Sequence, residues 1–196
     1  DLSGKPSNTL QITLSPAYSL FLTDPQYVGE YDFGGDPRYL FADLSQRTVS
    51  FNLRADYAIT PSLTLQVYGS PYVTAGSYRE FKRITDPGAA EYGGRYHVFQ
   101  GDEIAYADGA YAVDEDANGS VDYSIANPDF NYRDFNSNVV LRWEFSPGSL
   151  LYFVWNQSRS DYVSQGRFAY GEDLDALFGV RPHDVFLLKV SKWLSL

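Results

Sequence analysis

The stretch of the chain best suited to chemistry is an acidic loop that reads DEDANGSVD from position 114 to position 122. Its oxygen-bearing side chains recur at alternate positions and lead to Gly119. This arrangement resembles the first half of an EF-hand calcium loop, in which a glycine permits the sharp turn. Oxygen ligands at this spacing suit Ca²⁺. The predicted ligands are Asp114, Asp116, Asn118, Ser120 (through its carbonyl) and Asp122.

The loop departs from the EF-hand pattern at its twelfth position, where Ile125 stands in place of the bidentate glutamate. Another carboxylate, from Asp108 or Asp129, would have to complete the ligand shell, and no flanking helices are predicted. The competing interpretation is a solvated acidic turn around Asn118 and Gly119. The sequence leaves both interpretations open.

Candidate catalytic groups are scarce. The chain has two histidines, His97 and His183, and His97 lies close in sequence to Asp102 and Glu103. No motif singles out a nucleophile for a Ser–His–acid set. We therefore predict no catalytic residue, and a hydrolase remains only an alternative function.

The overall composition excludes several classes of protein. In 196 residues, 25 Asp and Glu outnumber 15 Lys and Arg, which gives a net charge of −10, and the basic residues form no run. Nucleic acid is not an expected partner, because its binding needs a basic footprint. Cysteine is absent, which excludes disulfides and thiolate metal sites. No apolar run approaches the roughly 18 residues of a transmembrane helix.

The elements that must position these residues are predicted from alternation. From Val49 to Ile59 every second residue is apolar, and almost every residue between them is polar. A β-strand sorts side chains onto two faces with this period, whereas a helix does not. One short helix is predicted at about 172–179. The six predicted strands lie at about 10–22, 47–59, 63–68, 137–145, 151–156 and 186–190.

Short and long connections alternate along the chain. Turns at 60–62 and 146–149 are short, whereas segments at about 23–38, 85–130 and 165–183 are long and rich in Gly, Asp, Asn and Tyr. Outer-membrane barrels alternate long outer loops with short periplasmic turns in this way. The connections therefore favour a barrel.

Two further features favour a membrane barrel over a soluble sandwich. Segments 47–59 and 137–145 reach the roughly 9–11 residues that cross a bilayer at a tilt, and aromatic residues crowd the strand ends as in interfacial girdles. We predict an all-β, antiparallel up-and-down transmembrane β-barrel over residues 1–196, with 85–130 as a long extracellular loop and short periplasmic turns. Six strands are fewer than the roughly eight of the smallest closed barrels, so either two strands lie hidden in the long segments or, as we prefer, the chain is part of a larger barrel.

The polar residues between the apolar ones would line the interior of that barrel. They could form a pore lining or a surface that binds a plug, but the mixture of both charges also suits a lumen filled by side chains. The predicted lumen-lining residues are Asn52, Arg54, Asp56, Gln66, Arg142, Glu144 and Asn156.

Four runs of sequence carry a family resemblance: RYLFADLSQRT from 38, NVVLRWEFSPGS from 138, WNQSRS from 155 and DVFLLKVS from 184. In this order they resemble the C-terminal region of a bacterial family of unknown function, from about residue 6 to the end. Members of that family pair an N-terminal carbohydrate-binding domain of the family-nine type with a C-terminal outer-membrane-barrel-like region. The resemblance implies the C-terminal part of a larger barrel in the outer membrane of a Gram-negative cell. It implies no established catalytic residues.

The leading functional prediction is an outer-membrane β-barrel protein with a structural or transport-associated role in a surface assembly. Its expected partners are outer-membrane lipid and the remaining barrel strands or other subunits of a membrane assembly. Carbohydrate is a further expected ligand, because the Tyr-rich outer segments could stack on sugars. The alternatives are a soluble or surface-exposed carbohydrate-binding β-sandwich and an outer-membrane hydrolase.

Overall fold

The computed structural model describes residues 1–194, most of which lie in antiparallel β-strands. The helix α1 spans Tyr170–Gly179, and a 3₁₀ turn spans Tyr92–Arg95. In chain order the strands are β1 (Leu2–Ser7), β2 (Leu10–Phe33), β3 (Asp36–Thr60), β4 (Leu63–Ile84), β5 (Tyr96–Val98), β6 (Ile104–Ala107), β7 (Ala110–Val113), β8 (Tyr123–Ala126), β9 (Phe130–Ser146), β10 (Ser149–Val163) and β11 (His183–Ser191). The all-β class is confirmed, and residues 195–196 of the predicted domain lie outside the described part.

The strands form one large sheet and one small sheet. The main sheet runs β1-β2-β3-β4-β9-β10-β11 with every pair antiparallel, and β5 adds to the end of β4. The small sheet is β6-β7-β8. Over residues 1–194 neither sheet closes into a barrel, and β1 and β11 are the free edges of the main sheet. The antiparallel up-and-down order is as predicted, and the transmembrane barrel remains a prediction.

Most elements with strong alternation fall where the sequence places them. The predicted strands at 47–59 and 137–145 lie within β3 and β9. The turns at 60–62 and 146–149 join β3 to β4 and β9 to β10, and the helix predicted at 172–179 lies within α1. These strands are much longer than predicted: β3 has 25 residues and β9 has 17.

The predicted long connection at 23–38 is wrong, because β2 and β3 continue through it and stay paired as far as Phe33 and Asp36. Gly34 and Gly35 form the tight turn with φ of 65° and 93°, a conformation that glycine adopts without steric cost. Two irregularities interrupt the β2–β3 register in this region. Such bulges shift the apolar–polar alternation. Without that strand pattern, the Gly- and Asp-rich composition of the segment resembles that of a loop.

Two other regions contain strands that were not predicted. β1 has no apolar period in its sequence LSGKPS, yet it pairs with β2 from Leu2 to Ser7. The segment 85–130, predicted as one long loop, folds into β5 and the small sheet β6-β7-β8. Its extracellular location remains a prediction.

The buried core lies at the end of the main sheet away from the turns at 60–62 and 146–149, which we call the distal end. We call the cluster between the small sheet and the ends of β3 and β4 the distal core. Its members include Leu40, Ala42, Phe81, Val113 and Ile125, each at most 5% exposed. Burial of these side chains explains why 85–130 is folded, because each fully buried side chain contributes about 1.5–3 kcal/mol.

Candidate functional site

Two complete rows of apolar side chains cross six strands on one face of the main sheet, which we call the apolar face. One row is Leu10, Tyr57, Leu65, Leu141, Phe153 and Leu188. The next is Ile12, Ala55, Val67, Val139, Trp155 and Phe186. These rows and the adjoining apolar residues, which on β3 run from Val49 to Ile59, are called the apolar band.

Many side chains of the apolar band are exposed. Phe186 is 61% exposed and Leu188 is 68% exposed, and on β2 the values for Leu20 and Leu22 are 52% and 68%. Single exposed apolar residues are ordinary, but a large contiguous patch marks a surface that meets another molecule or a membrane. The apolar band is such a patch.

The predicted lumen-lining residues share the opposite face of the sheet, which we call the polar face. Several of them make contacts across strands, with one another or with a neighbour on the same face. The Gln66 amide donates to Asp56 over 2.9 Å, and the Tyr68 hydroxyl donates to Asn52 over 3.0 Å. The Arg54 guanidinium lies 5.3 Å from the centre of the Tyr68 ring. Such pairs hold neighbouring strands together, so the grouping predicted from alternation is real. Whether this face encloses a lumen remains a prediction.

The apolar side chains change face along β3. Leu40 and Ala42 of the distal core lie on the same face as Asn52 and Arg54, because all have even numbers in one continuous strand. The other face changes in the opposite sense, from apolar in the band to mostly polar at 43–47. The even-numbered face of β3 is therefore apolar and buried at 40–44 and polar at 50–56, while the odd-numbered face is polar at 43–47 and apolar from 49 to 59.

The predicted calcium ligands form part of the β7–β8 connection. Carboxylate oxygens of Asp114, Asp116 and Asp122 all lie within 4.8 Å of one another. The backbone N–H groups of Asn118 and Gly119 donate to Asp114 over 3.0 and 2.7 Å, which fixes the turn. Three converging carboxylates and a constrained turn are a donor set that fits Ca²⁺.

The other predicted contributors play different parts. The Asn118 side-chain oxygen accepts the Ser120 N–H over 2.9 Å, so it stabilises the turn. Asp129 accepts the Tyr78 N–H over 2.7 Å and is engaged elsewhere. Ile125 is fully buried in β8. The twelfth position thus belongs to the distal core, which explains why it carries no glutamate.

The acidic loop is tied to the main sheet through Glu115, whose side chain is only 4% exposed. Its carboxylate lies 2.8 Å from Arg38 and 3.1 Å from Arg83, and it accepts the Tyr123 hydroxyl over 2.9 Å. Burial, together with this hydrogen bond, raises the pKa of Tyr123, so its phenol stays protonated and donates. Glu115 therefore anchors one side of the loop while its neighbours face outward.

His97 pairs with an acid, as its sequence neighbourhood suggested. Its Nε2 lies 2.6 Å from Glu103, which also accepts the Gln100 N–H over 2.7 Å. Burial alone would raise the pKa of Glu103, but the Gln100 and His97 contacts lower it overall. Within residues 1–194 no serine hydroxyl hydrogen-bonds His97. The pair serves to hold the segment after β5 in place.

A cleft at the distal end of the apolar face holds residues that the sequence analysis missed. It is lined by Ser45, Arg47, Ser77, Arg79 and Arg167, with a volume of about 250 Å³. Continuing the alternation of β3 and β4 beyond the apolar band would have placed the first four on one face. No local pattern could have placed Arg167 beside them, because it arrives from the segment before α1.

Comparison of the whole chain with known proteins identifies a family but no curated or solved relative. No α-helix in the described part is both long and apolar enough to span a membrane. No curated protein and no solved structure matches the chain. Residues 4–195 match the family described as a domain of unknown function, DUF5916. Because this match spans nearly the whole chain, the protein belongs to the DUF5916 family.

Proposed function

We propose that the protein is a wall segment of a transmembrane β-barrel in a bacterial outer membrane, with the apolar face against lipid and the polar face toward the barrel interior. The observation that carries this proposal is the apolar band, two unbroken rows of six side chains on a face with large exposed residues. Its role is structural or transport-associated within a membrane assembly.

The height of the apolar band supports a bilayer as its surroundings. On β3 the band spans Val49 to Ile59, ten residue steps, or about 33 Å along the strand at about 3.3 Å per residue. Barrel strands tilt by about 35–45°, which reduces this length to about 25 Å measured across the membrane. The outward apolar band of outer-membrane barrels is also about 25 Å tall.

The change of face along β3 supports the same proposal. Inside a bilayer the outward face of a barrel is apolar, whereas outside it a folded region packs its apolar residues inward, away from water. The side chains of β3 change in this way between the apolar band and the distal core. The strands would then leave the membrane near residue 47.

The unpaired edges of the main sheet indicate that the proposed barrel needs further strands. An unpaired strand edge in lipid leaves backbone groups unsatisfied at several kcal/mol each. β1 and β11 are both edges over the described residues. Further strands would therefore complete the barrel, either from the same polypeptide or from other subunits of the assembly.

A carbohydrate-binding sandwich is less well supported, because a sandwich buries one face of each sheet against the other. The small sheet covers only the distal end of the polar face. Leu188, Phe186 and Leu22, on the opposite face, remain more than half exposed. Carbohydrate binding by the Tyr-rich distal segments stays a prediction.

Detergent dependence tests the proposal against the sandwich. The chain is prepared with and without a mild non-ionic detergent, and its state is measured by light scattering. We expect particles that carry a belt of detergent, and aggregation once the detergent is removed. A monomer that stays soluble without detergent and binds none would overturn the proposal.

We also propose that the loop 114–122 binds Ca²⁺. The support is the convergence of Asp114, Asp116 and Asp122 on one point, together with an EF-hand-like spacing. A bound ion would neutralise the mutual repulsion of the carboxylates and rigidify the β7–β8 connection. Titration of Ca²⁺ against the protein, with Asp116→Ala as comparison, tests it. Calorimetry that shows the same heats for both proteins would overturn the site.

A further inference from the structure

We propose that the distal cleft on the apolar face binds the phosphate group of an anionic lipid. The cleft is lined by Arg47, Arg79 and Arg167 together with Ser45 and Ser77. This inference rests on the proposed function, because it takes the apolar band as the lipid-facing surface.

The register of β3 and β4 places four of these residues on one face. Ser45 lies directly opposite Ser77, while Arg47 lies opposite Ala75 and Arg79 lies opposite Asp43. The two arginines therefore flank the serine pair from opposite sides along the strands. All four residues line the same cleft.

The third arginine is brought in by a close backbone approach. A Cβ on Gly166 would lie 2.6 Å from the Ser77 Cβ and 2.8 Å from the Ser77 Cα, so only glycine lets the chain lie this near to β4. The next residue is Arg167, whose carbonyl accepts the Asn131 side-chain amide over 2.8 Å. Asn131 is 1% exposed, so the wall of the cleft that carries Arg167 is fixed.

The helix that follows reinforces this wall. The Asp173 carboxylate, buried at 4% exposure, accepts the Asn131 amide over 2.9 Å and lies 3.1 Å from Arg133. The Phe178 ring lies 5.0 Å from the Phe135 ring, centre to centre, on the apolar face. α1 is thereby held on the sheet, and the 164–169 segment is held with it.

The charges in the cleft favour an anion. In a protein of net charge −10, three arginines line a cleft whose own lining includes no carboxylate, and the acid beside it on the same face, Asp43 opposite Arg79, is paired with Lys82 over 2.6 Å. Arg47 and Arg79 make no ion pair among residues 1–194, and Arg167 makes one with Glu172 at 2.9 Å in which both side chains are exposed. Asp129 lies behind the cleft near Gly166, where it accepts the Tyr78 N–H. Guanidinium groups match phosphate oxygens well, since each can donate two parallel hydrogen bonds.

The position of the cleft, just beyond the apolar band, indicates that the phosphate belongs to a lipid. Val49 and Val73 face each other in the next row of the same face, at the upper limit of the apolar band on β3. Ser45 is four residues beyond Val49, which is about 13 Å along the strand and about 10 Å in height at the usual tilt. The headgroup region of a bilayer extends about 5–7.5 Å beyond the hydrocarbon core on each side, so Ser45 lies at its outer edge and Arg47, two residues nearer the apolar band, lies within it. A phosphate held in the cleft would have its acyl chains along the apolar band.

Binding of phosphatidic acid tests this inference, with diacylglycerol as the same lipid lacking phosphate. The protein is held in a non-ionic detergent, each lipid is added, and the retained lipid is counted by native mass spectrometry. We expect retention of phosphatidic acid and not of diacylglycerol. The double variant Arg47→Gln/Arg79→Gln should weaken the binding of phosphatidic acid at least tenfold. Both arginines are exposed, so this variant should fold, which an unchanged heat-modifiability shift would verify.

The matched control is Arg54→Gln/Arg142→Gln, which removes the same charge from the polar face and should change the affinity less than twofold. Equal losses in the two double variants, or no loss in the first, would overturn the site. Inorganic phosphate is the second probe, and its binding should be at least tenfold weaker than that of phosphatidic acid. Equal binding would overturn the lipid as the source.

Lipid contact measured at Leu53 separates this inference from the proposed function. A probe at position 53 that contacts lipid, in a protein that does not distinguish phosphatidic acid from diacylglycerol, would refute the cleft alone. A probe at position 53 that contacts water, in a protein that still binds inorganic phosphate through Arg47 and Arg79, would refute the membrane placement.

Discussion

The two ends of the main sheet differ in where their apolar side chains lie: one end buries them and the other leaves them exposed. At the distal end Leu40 is fully buried against the small sheet. Toward the short turns, Leu188 is 68% exposed on the apolar band. The same residue type in the same sheet is thus enclosed by protein at one end and left to the surroundings at the other.

The distal end buries its large apolar side chains as a water-soluble domain does, whereas the apolar band leaves many of them exposed. A water-soluble protein buries large apolar side chains because their exposure to water costs free energy. In lipid that cost disappears, and only the backbone must be satisfied within the protein. The long hydrogen-bonded ladders of β2, β3 and β4 meet that requirement. The transition between the two regimes lies near residues 43–49 of β3.

The largest expected effect comes from the same truncation made at the two ends. Leu40→Ala leaves a cavity in the distal core and should lower the free energy of unfolding by about 2–5 kcal/mol. Leu188→Ala removes an exposed side chain and should change it by less than about 0.5 kcal/mol. Denaturant titration of the protein in detergent measures both. Similar losses for the two variants would erase the distinction between the two ends.

A charge placed in the apolar band should have the next largest effect. Leu53→Arg puts a guanidinium near the middle of the band, and in lipid this costs about 2–4 kcal/mol. Ser50→Arg lies three residues away on the polar face and should be tolerated. The amount of protein assembled in the membrane and its heat-modifiability on electrophoresis report both variants. Equal assembly would show that the assignment of faces is wrong.

Calcium should stabilise only the distal end. Since Ile125 replaces the closing glutamate, we expect a Kd in the weak range of about 10⁻⁴–10⁻³ M. At ten times the Kd, binding stabilises by about 1.4 kcal/mol. Millimolar Ca²⁺ should slow proteolytic cleavage within 105–127, and Asp116→Ala should abolish this protection. A cleavage rate that does not respond to Ca²⁺ would leave the loop as a solvated turn.

The smallest effect is expected from acid. The contacts of Glu103 with Gln100 and His97 lower its pKa, so their stabilisation is complete above the ordinary pKa of about 4.5. It is lost as the pH falls through the lowered value. The protection factors of the amides in 96–104, which correct for the intrinsic exchange rate at each pH, should therefore fall below about pH 4.5, and Glu103→Gln should remove this pH dependence. If the pH dependence is unchanged in Glu103→Gln, it arises from other titrating groups.

The sequence predicted those parts of the fold in which apolar and polar residues alternate along a single strand. From Val49 to Ile59 each residue faces one of two environments, and the alternation shows it directly. The Gly34–Gly35 turn was missed because bulges on β2 break the period, and β1 was missed because it has no period. The distal core joins Leu40 to Ile125 across 85 positions, and no local pattern reports such a contact.

The candidate sites differ in the same way: one is formed by residues close in sequence and the other by residues far apart. Asp114, Asp116 and Asp122 could be predicted together because the loop is short and its spacing is diagnostic. The arginine cleft could not, because Arg167 reaches Arg47 and Arg79 only through the close contact of Gly166 with Ser77. The role of Ile125 at the twelfth position also depended on tertiary packing, which the loop motif alone does not reveal.

The measurement that tests the membrane placement most directly is a cysteine scan of β3 from position 49 to position 58. The chain has no native cysteine, so each variant carries one nitroxide label, and its collisions with oxygen in lipid and with a water-soluble nickel complex are compared. We predict a period of two, with odd positions in lipid and even positions reached by the nickel complex. From position 47 toward position 40 the odd positions should become accessible to water. Labels that all respond to the nickel complex, or that show no period of two, would contradict the placement of the apolar band in a membrane.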